Sequence, residues 1–245
     1  MRSTLLPSEV AFFRAQGYLK LCAVFDEQSM ADAYGRVAKA CVTRDAPFKS
    51  DASGRIVKLY DLAARDTLFW DFFTDIRLMK PLRAILGPNI AFLRNRHNHA
   101  SVIEAGATQR RFHRDIRHWT RSNVTALIYL NDAGLGEGCT EIIPGSQHIE
   151  LAYPPDDPKH GGTWIDELPN IEHLQQQALP IPMHAGDVLL MDSLSFHTPG
   201  EHMQPTPRIA LTASYRACDE LARNESEHVF VVSGKHQYCG NDIQW

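Results

Sequence analysis

A series of short apolar segments with period two, which begins after Gly87, constrains the fold of this chain more than any other feature. Successive side chains of an extended strand point to opposite faces, so this pattern is typical of strands with one buried face. Turn residues separate the segments, and strands at this spacing favour a β-sandwich or barrel over alternating βαβ units. The predicted strands cover residues 89–102, 124–130, 188–191, 209–215 and 229–232.

The first third of the chain has the patterns of helices. Asp26 can cap a helix whose apolar residues fall at helical spacing. Two further helices are predicted in succession between residues 68 and 87, where Pro81 suits a first helical turn and Gly87 a stop. We therefore expect helices to flank a mainly β core.

Length, charge and cysteine content bound the remaining possibilities. The 245 residues fit one large domain, which we expect over residues 1–245 with helices at about 8–87 and the β core at about 88–235. A formal net charge of −4 argues against nucleic acid as a partner, and no window approaches the roughly 18 apolar residues of a membrane helix. Five cysteines without a CxxC pair favour reduced thiols and a cytoplasmic location. The sequence carries no indication of an oligomeric state.

Two histidines and one aspartate form a candidate metal site. His113 and Asp115 are two residues apart, so on an extended segment both side chains project from one face and can reach one ion. His197 follows the predicted strand at 188–191, from which a third ligand could come. Two histidines and one carboxylate are the facial triad of non-haem Fe(II) oxygenases, which leaves coordination positions open.

Arg208 lies eleven residues after His197, at the start of the predicted strand at 209–215. A guanidinium matches a carboxylate through two parallel hydrogen bonds, so Arg208 could bind the distal carboxylate of 2-oxoglutarate. An arginine at a solvated strand end is the alternative interpretation. The register of Arg208 with His197 favours the first one.

Four features together resemble the phytanoyl-CoA dioxygenase family, whose members are Fe(II)- and 2-oxoglutarate-dependent oxygenases with a double-stranded β-helix, or jelly-roll, core of the cupin-like type. The features are the His113-x-Asp115 pair, the turn over residues 139–148, Phe196-His197 and Pro207-Arg208. Gln147 replaces a histidine that the family commonly has in this turn, which is a structural position.

The resemblance implies a function for each of these residues. His113, Asp115 and His197 would ligate Fe(II), and Arg208 would bind 2-oxoglutarate, with O2 as the second cosubstrate. The implied reaction is the oxidation, most simply the hydroxylation, of a small molecule, coupled to decarboxylation of 2-oxoglutarate to succinate and CO2. Related halogenases replace the carboxylate ligand by a small residue, so Asp115 disfavours halogenation.

Several residues near the triad are candidates for binding the cosubstrate or substrate. Tyr129 and Thr140 are possible hydroxyl donors to 2-oxoglutarate. Arg94 and Arg96 share one strand face, and the other face is formed by Asn95, His97 and His99. Either face could line the pocket, and we favour the second. Trp119, six residues after His113, is an aromatic pocket wall in one interpretation and an ordinary core residue in the other.

The segment from Arg94 to Arg121 holds seven arginines and two acidic residues. It either attracts an anionic substrate or forms a charged strand edge in solvent. We further expect the irregular region 151–182, together with the N-terminal helices, to cover the entrance of the pocket.

One alternative function is a metal-binding cupin-like module or isomerase that is not an oxygenase. Such a protein has no need for a carboxylate-binding arginine at the register of Arg208. Another alternative, a regulatory protein that has lost turnover, is disfavoured by the intact triad.

Overall fold

The computed structural model describes residues 4–94, 97–106, 111–116, 123–149, 163–168, 172–218 and 228–236. These ranges contain five α-helices, twelve strands and three short 3-10 helices. The helices are α1 Pro7–Gln16, α2 Glu27–Thr43, α3 Leu62–Arg65, α4 Thr67–Thr74 and α5 Ile76–Leu86. The strands are β1 Tyr18–Leu21, β2 Phe48–Ser50, β3 Ile56–Tyr60, β4 Ile90–Leu93, β5 Asn98–Ile103, β6 Val124–Tyr129, β7 Thr140–Ile142, β8 Leu179–Ile181, β9 Val188–Asp192, β10 His197–Pro199, β11 Arg208–Ala217 and β12 Val229–Ser233. The 3-10 helices are Ser146–His148, Ile165–Glu167 and Glu172–Gln177.

Two antiparallel sheets form the β core. The larger sheet has the order β1-β9-β6-β11-β5-β3-β2, and β4 joins it by pairing with β11 and β12. The smaller sheet has the order β10-β7-β8. The predicted fold class, a mainly β jelly roll with flanking helices, is confirmed.

The two faces of the larger sheet have different chemistry, as β11 shows most clearly. Ile209, Leu211 and Tyr215 point into the main hydrophobic core, where they meet apolar residues of the helices α2, α4 and α5. Arg208 and Thr212 are also buried but line a cavity on the opposite face. The alternation of strand side chains thus separates a packed core from a polar site.

The helical N-terminal third also supplies strands that the sequence interpretation missed. The strand β1 pairs with β9, and the hairpin of β2 and β3 extends the larger sheet beyond β5. These strands are only three to five residues long and lack strict alternation of apolar side chains. For β1 and β3, pairing with strands distant in the chain, rather than local preference, determines the structure.

Two predicted boundaries differ from the structure. The segment 89–102 is two strands, β4 and β5, instead of one. Pro81 lies inside α5 rather than in its first turn, because the helix already begins after Asp75, whose carboxylate accepts a hydrogen bond from the backbone N–H of Arg77 at 2.7 Å. Asp26 caps α2 as predicted, by accepting from the N–H of Ser29.

A tight turn at Gly17 joins α1 to β1 and packs against the segment that precedes His197. Gly17 has a φ of 79°, and a Cβ atom there would lie 2.3 Å from the hydroxyl of Ser195. Its carbonyl accepts hydrogen bonds from the N–H of Asp192 and the hydroxyl of Ser195. Only glycine satisfies both the left-handed backbone and the close approach.

The described part of the chain contains no helix with the length and apolar character needed to cross a bilayer. The four cysteines in these ranges, Cys22, Cys41, Cys139 and Cys218, are free thiols. Cys239 lies outside the described residues.

Candidate metal centre and cosubstrate site

Backbone pairing brings the three predicted metal ligands to one place. The N–H of His113 donates to the carbonyl of His197 and the N–H of His197 donates to the carbonyl of His113, both at 2.9 Å. The N–H of Asp115 donates to the carbonyl of Ser193 at 2.9 Å. The HxD segment is therefore held in an extended conformation beside the start of β10, which fixes the direction of all three side chains.

The three side chains converge on one point. The Nε2 atoms of His113 and His197 lie 3.9 and 3.8 Å from Oδ1 of Asp115, and one ligand atom from each residue lies within 4.8 Å of the other two. Two imidazoles and one carboxylate at such distances fit a divalent transition metal, with one side of the ion open.

A neighbouring hydrogen bond fixes the orientation of His197. Its Nδ1 lies 3.0 Å from the carbonyl of Ser195, which is an acceptor, so Nδ1 carries the proton. Nε2 then keeps its lone pair for a metal ion. Burial, followed by the proximity of His197, lowers the pKa of His113 to about 3, so the His113 imidazole is neutral at physiological pH.

The carboxylate of Asp115 is buried and held on both sides. Its Oδ2 accepts a hydrogen bond of 2.6 Å from the hydroxyl of Thr125, and Nε2 of His97 lies 3.3 Å from its Oδ1. Burial alone would raise the pKa of Asp115. Three neighbouring imidazoles and the Thr125 hydroxyl outweigh burial and hold this pKa below its ordinary range, so the group is an anion.

Arg208 is buried, with 3% of its surface exposed, and lies in the same cavity as the triad. Its guanidinium donates hydrogen bonds to the hydroxyls of Tyr129 at 2.8 Å and Thr140 at 3.2 Å, and it lies over the Tyr129 ring. Its Nε has no hydrogen-bond partner, and no carboxylate of the described residues forms an ion pair with it. A buried cation without a counter-ion fits the binding of an anionic ligand.

The cavity has a volume of about 280 Å³ and is bordered by both sheets. Seven of the residues predicted from sequence lie in its wall: His97, His99, His113, Asp115, Thr140, His197 and Arg208. Tyr129 lies behind them and contacts Arg208 and Thr140. Asn95 and Trp119 lie outside the described residues.

The sequence interpretation missed the other residues of this cavity wall, four of which have aromatic, hydroxyl or charged side chains near the triad. Trp164 forms an aromatic wall beside the His113 ring, at 5.2 Å between ring centroids, as had been expected of Trp119. Thr125, Lys58 and Lys49 also line the cavity. Of the strands that carry Thr125, Lys58 and Lys49, only β6 was predicted from the sequence. The pairing of β2, β3 and β6 within the sheet shows which of their side chains face the cavity.

The arginines of the segment 94–121 that the structure describes do not line the cavity. Arg94 pairs with Asp61, Arg111 pairs with Asp166, and Arg114 is buried over the ring of Phe196. Positive charge in the cavity wall comes instead from Arg208 and the two lysines.

The N-terminal helices do not cover the entrance, because they pack on the opposite face of the larger sheet. Of the irregular region 151–182, residues 163–168 and 172–182 are described, and Trp164 is the part of it that reaches the cavity.

Several solved structures share this fold at low sequence identity. The non-heme alpha ketoglutarate dependent carbocyclase SnoK from nogalamycin biosynthesis has a TM-score of 0.72 and 18% identity, over 94% of this chain and 97% of that chain. The epimerase SnoN in complex with Fe3+, alpha ketoglutarate and nogalamycin RO has a TM-score of 0.71 and 16% identity, over 96% and 95%. EctD from S. alaskensis with 2-oxoglutarate and 5-hydroxyectoine has a TM-score of 0.72 and 18% identity, over 88% and 77%.

No curated protein sequence matches the chain at significant similarity. A family model does match it: the model described as phytanoyl-CoA dioxygenase (PhyH) aligns with residues 13–210, which include the HxD pair, His197 and Arg208. The chain therefore belongs to the phytanoyl-CoA dioxygenase family, and the family and the oxidoreductase class of enzyme predicted from its sequence motifs are both confirmed.

Proposed function

We propose that the protein is an Fe(II)- and 2-oxoglutarate-dependent dioxygenase that hydroxylates a small molecule. The observation that carries the proposal is the presence, in one cavity, of a His-Asp-His cluster and a buried arginine that pairs with no carboxylate of the described residues. The first fits a metal ion and the second fits the distal carboxylate of 2-oxoglutarate.

The metal would be held by His113, Asp115 and His197. Asp115 supplies one negative charge, and both imidazoles are directed by the backbone bridge that joins their segments. When bound, Fe(II) and 2-oxoglutarate supply the oxidising chemistry, in which 2-oxoglutarate loses CO2 and becomes succinate while one oxygen atom of O2 enters the substrate.

Arg208 would orient 2-oxoglutarate by binding the carboxylate that lies away from the metal. The hydroxyls of Tyr129 and Thr140 both accept hydrogen bonds from the Arg208 guanidinium, and they lie 2.7 Å from each other. These contacts fix the orientation of the guanidinium before the ligand binds. Either hydroxyl can also rotate to donate to the carboxylate. This arrangement favours an oxygenase over a cupin-like module or isomerase, in which the buried arginine would remain unpaired.

Hydroxylation is proposed because it is the simplest outcome for this set of groups. The similar structures include an epimerase and a carbocyclase, so the fold alone is compatible with other oxidations. His97, His99 and Trp164 line the cavity together with the triad and would contact the substrate. The single domain and the cytoplasmic location stay predictions.

The experiment that tests the function measures succinate formation by anaerobically Fe(II)-loaded protein supplied with 2-oxoglutarate, O2 and a library of small molecules. We expect stimulation by a subset of the library, and oxygenated product detected by mass spectrometry. His197→Ala should abolish turnover, whereas His184→Ala should not, because His184 is exposed and distant from the cavity. Full activity of His197→Ala would contradict the metal assignment.

Binding of 2-oxoglutarate is tested separately by calorimetry on metal-loaded protein without O2. Loss of one partner of a desolvated ion pair costs about 2–5 kcal/mol, so Arg208→Ala should weaken the affinity by about 30-fold or more. An unchanged dissociation constant would contradict the assignment of Arg208.

A further inference from the structure

The position of Trp164 is determined by backbone pairing with a proposed metal ligand. His113 forms an antiparallel bridge with Trp164 on one side and with His197 on the other. Two backbone hydrogen bonds of 2.9 and 3.0 Å hold residues 163–165 beside the HxD segment. Residues that are directly opposite in an antiparallel pair project from the same face. The Trp164 side chain therefore lies on the face of the HxD segment that carries the metal ligands.

Two neighbours flank the Trp164 ring. The His113 ring lies 5.2 Å away between centroids, with an angle of 44° between the two planes. The guanidinium of Arg111 lies over the indole, at 4.2 Å from the ring centroid. Trp164 lines the cavity and Arg111 does not, so the guanidinium covers the indole from outside the cavity. The rest of the indole surface borders the space beside the triad.

Arg111 is itself anchored to the segment that carries Trp164. Its Nε donates to both carboxylate oxygens of Asp166, at 3.1 and 3.0 Å, two residues beyond Trp164 in the chain. An exposed ion pair of this kind contributes little to stability by itself. Here it places the guanidinium over the indole, whose ring face attracts a cation. Arg111 thus restricts the rotation of the Trp164 side chain.

Trp164 lies in a different part of the wall from the residues assigned to 2-oxoglutarate. The HxD segment separates residues 163–165 from β10, and β10 separates the HxD segment from β7, which carries Thr140. Three strand spacings correspond to about 14 Å between the two backbones. Arg208 donates to the Thr140 hydroxyl, so a carboxylate bound by this pair leaves the indole free for another ligand.

The chemistry around Trp164 favours a flat group without charge. Aromatic rings attract one another in stacked or edge-to-face arrangements, and the negative face of the ring repels anions. A ring face also attracts cations, but the indole already contacts one guanidinium. The cavity wall holds three further cationic side chains, those of Lys49, Lys58 and Arg208. Since like charges repel each other, a cationic ligand is disfavoured.

We propose that Trp164 determines substrate specificity by stacking against a planar, uncharged group of the primary substrate, of the aromatic class, and that Arg111 is a positioning residue that acts through the indole. The inference rests on the proposed function, because it names the substrate class of that same cavity. The planar group lies beside His113, on the face of the HxD segment that carries the metal ligands.

The test uses the full chain loaded with Mn(II) and 2-oxoglutarate, without O2, and measures binding by calorimetry. The probes are matched pairs that differ in planarity: benzyl alcohol and cyclohexylmethanol, benzamide and cyclohexanecarboxamide, and phenol and cyclohexanol. A contact between aromatic rings contributes about 1 kcal/mol beyond its buried area, so at least one aromatic probe should bind about fivefold more tightly than its saturated partner. Benzylamine, which is a cation, should bind more weakly than benzyl alcohol.

Variants assign the aromatic preference to the two residues. Trp164→Leu should abolish it, and Trp164→Phe should retain it. Arg111→Met should reduce it, and Arg111→Lys should restore it. The near-ultraviolet circular dichroism that Trp164→Phe removes reports a fixed indole, so Arg111→Met should lose it as well and Arg111→Lys should keep it. Phe12→Leu removes an exposed aromatic residue of α1 outside the cavity and should change nothing.

Several results would overturn the inference. The first group concerns the unsubstituted protein: no binding of any aromatic probe, equal binding of each aromatic probe and its saturated partner, or tighter binding of benzylamine than of benzyl alcohol. An unchanged preference in Trp164→Leu, or a loss of its affinity for 2-oxoglutarate, would remove the specificity role of Trp164. An unchanged preference and circular dichroism in Arg111→Met would remove the positioning role of Arg111.

The proposed function fails in a different way. Failure of the unsubstituted, metal-loaded protein to bind 2-oxoglutarate at all would contradict that function, and it is observed before any probe is added.

Discussion

Removal of the Thr125 hydroxyl tests most directly how the protein orients the carboxylate of Asp115, a proposed metal ligand. It donates a hydrogen bond of 2.6 Å to Oδ2 of Asp115 and lies 2.9 Å from the hydroxyl of Ser193. Only 6% of the Asp115 side chain is exposed, so water cannot replace the lost donor. Thr125→Val removes this hydroxyl while it changes the size of the side chain little.

The expected magnitude follows from these contacts. A hydrogen bond to a charged group contributes about 1.5–3 kcal/mol, and the metal-free variant should lose this amount of unfolding free energy because Oδ2 of Asp115 stays buried and unpaired. The carboxylate also becomes free to rotate. Loss of such an orienting partner typically lowers metal affinity by about 10–100-fold.

Calorimetric titration with Mn(II) and urea denaturation of the metal-free protein measure the two effects. The matched control is Thr74→Val, which removes a hydroxyl bonded to the Trp70 carbonyl within α4, far from the cavity. The control should change stability without changing metal affinity. Metal affinity of Thr125→Val within about twofold of the unsubstituted protein would refute the orienting role.

Two further predictions concern stability. Burial, followed by Lys58 and His97, holds the pKa of His99 well below its ordinary value, so below about pH 6.5 the unfolded chain binds a proton that the folded chain does not. Stability therefore falls as pH falls. Between pH 7 and about pH 5.5, the metal-free unsubstituted protein should lose about 1 kcal/mol more unfolding free energy than the His99→Asn variant loses. Equal losses of the two proteins in urea denaturation would contradict this prediction. Tyr215→Phe removes the 2.7 Å hydrogen bond to the Phe73 carbonyl and should cost about 1–3 kcal/mol of unfolding free energy with succinate formation unchanged, whereas unaltered denaturation would show that the bond contributes nothing.

The sequence predicts the central strands of the fold because their patterns are strong. The strands β6, β9 and β11 have continuous or alternating apolar residues, and each is buried along its length. The strand β3 was missed because a lysine within Ile-Val-Lys-Leu-Tyr resembles a solvent-facing position. One of its two neighbours in the sheet, β5, is about forty residues away in the chain, and local patterns carry no information on such pairing.

The residues of the site likewise divide into those that a sequence motif identifies and those that only the structure identifies. The residue types and spacing of His113, Asp115, His197 and Arg208 predicted a cluster, and the structure brings all four to one cavity. Lys58 has no comparable signal, because a lone lysine in a sequence is usually a solvated charge. Its place in the wall depends on the register of β3 against β5, which becomes visible only in three dimensions.

The pairing of β1 with β9 has a consequence for the order in which a nascent chain can become functional. Tyr18 pairs with Met191, so β1 finds its partner only after more than 170 further residues have been made. His197 and Arg208 follow still later. Contacts between such distant parts of a chain form slowly. At the proposed metal centre, loading would therefore follow synthesis of residue 197, and a truncated translation product that ends before it would carry the HxD pair without the third proposed ligand.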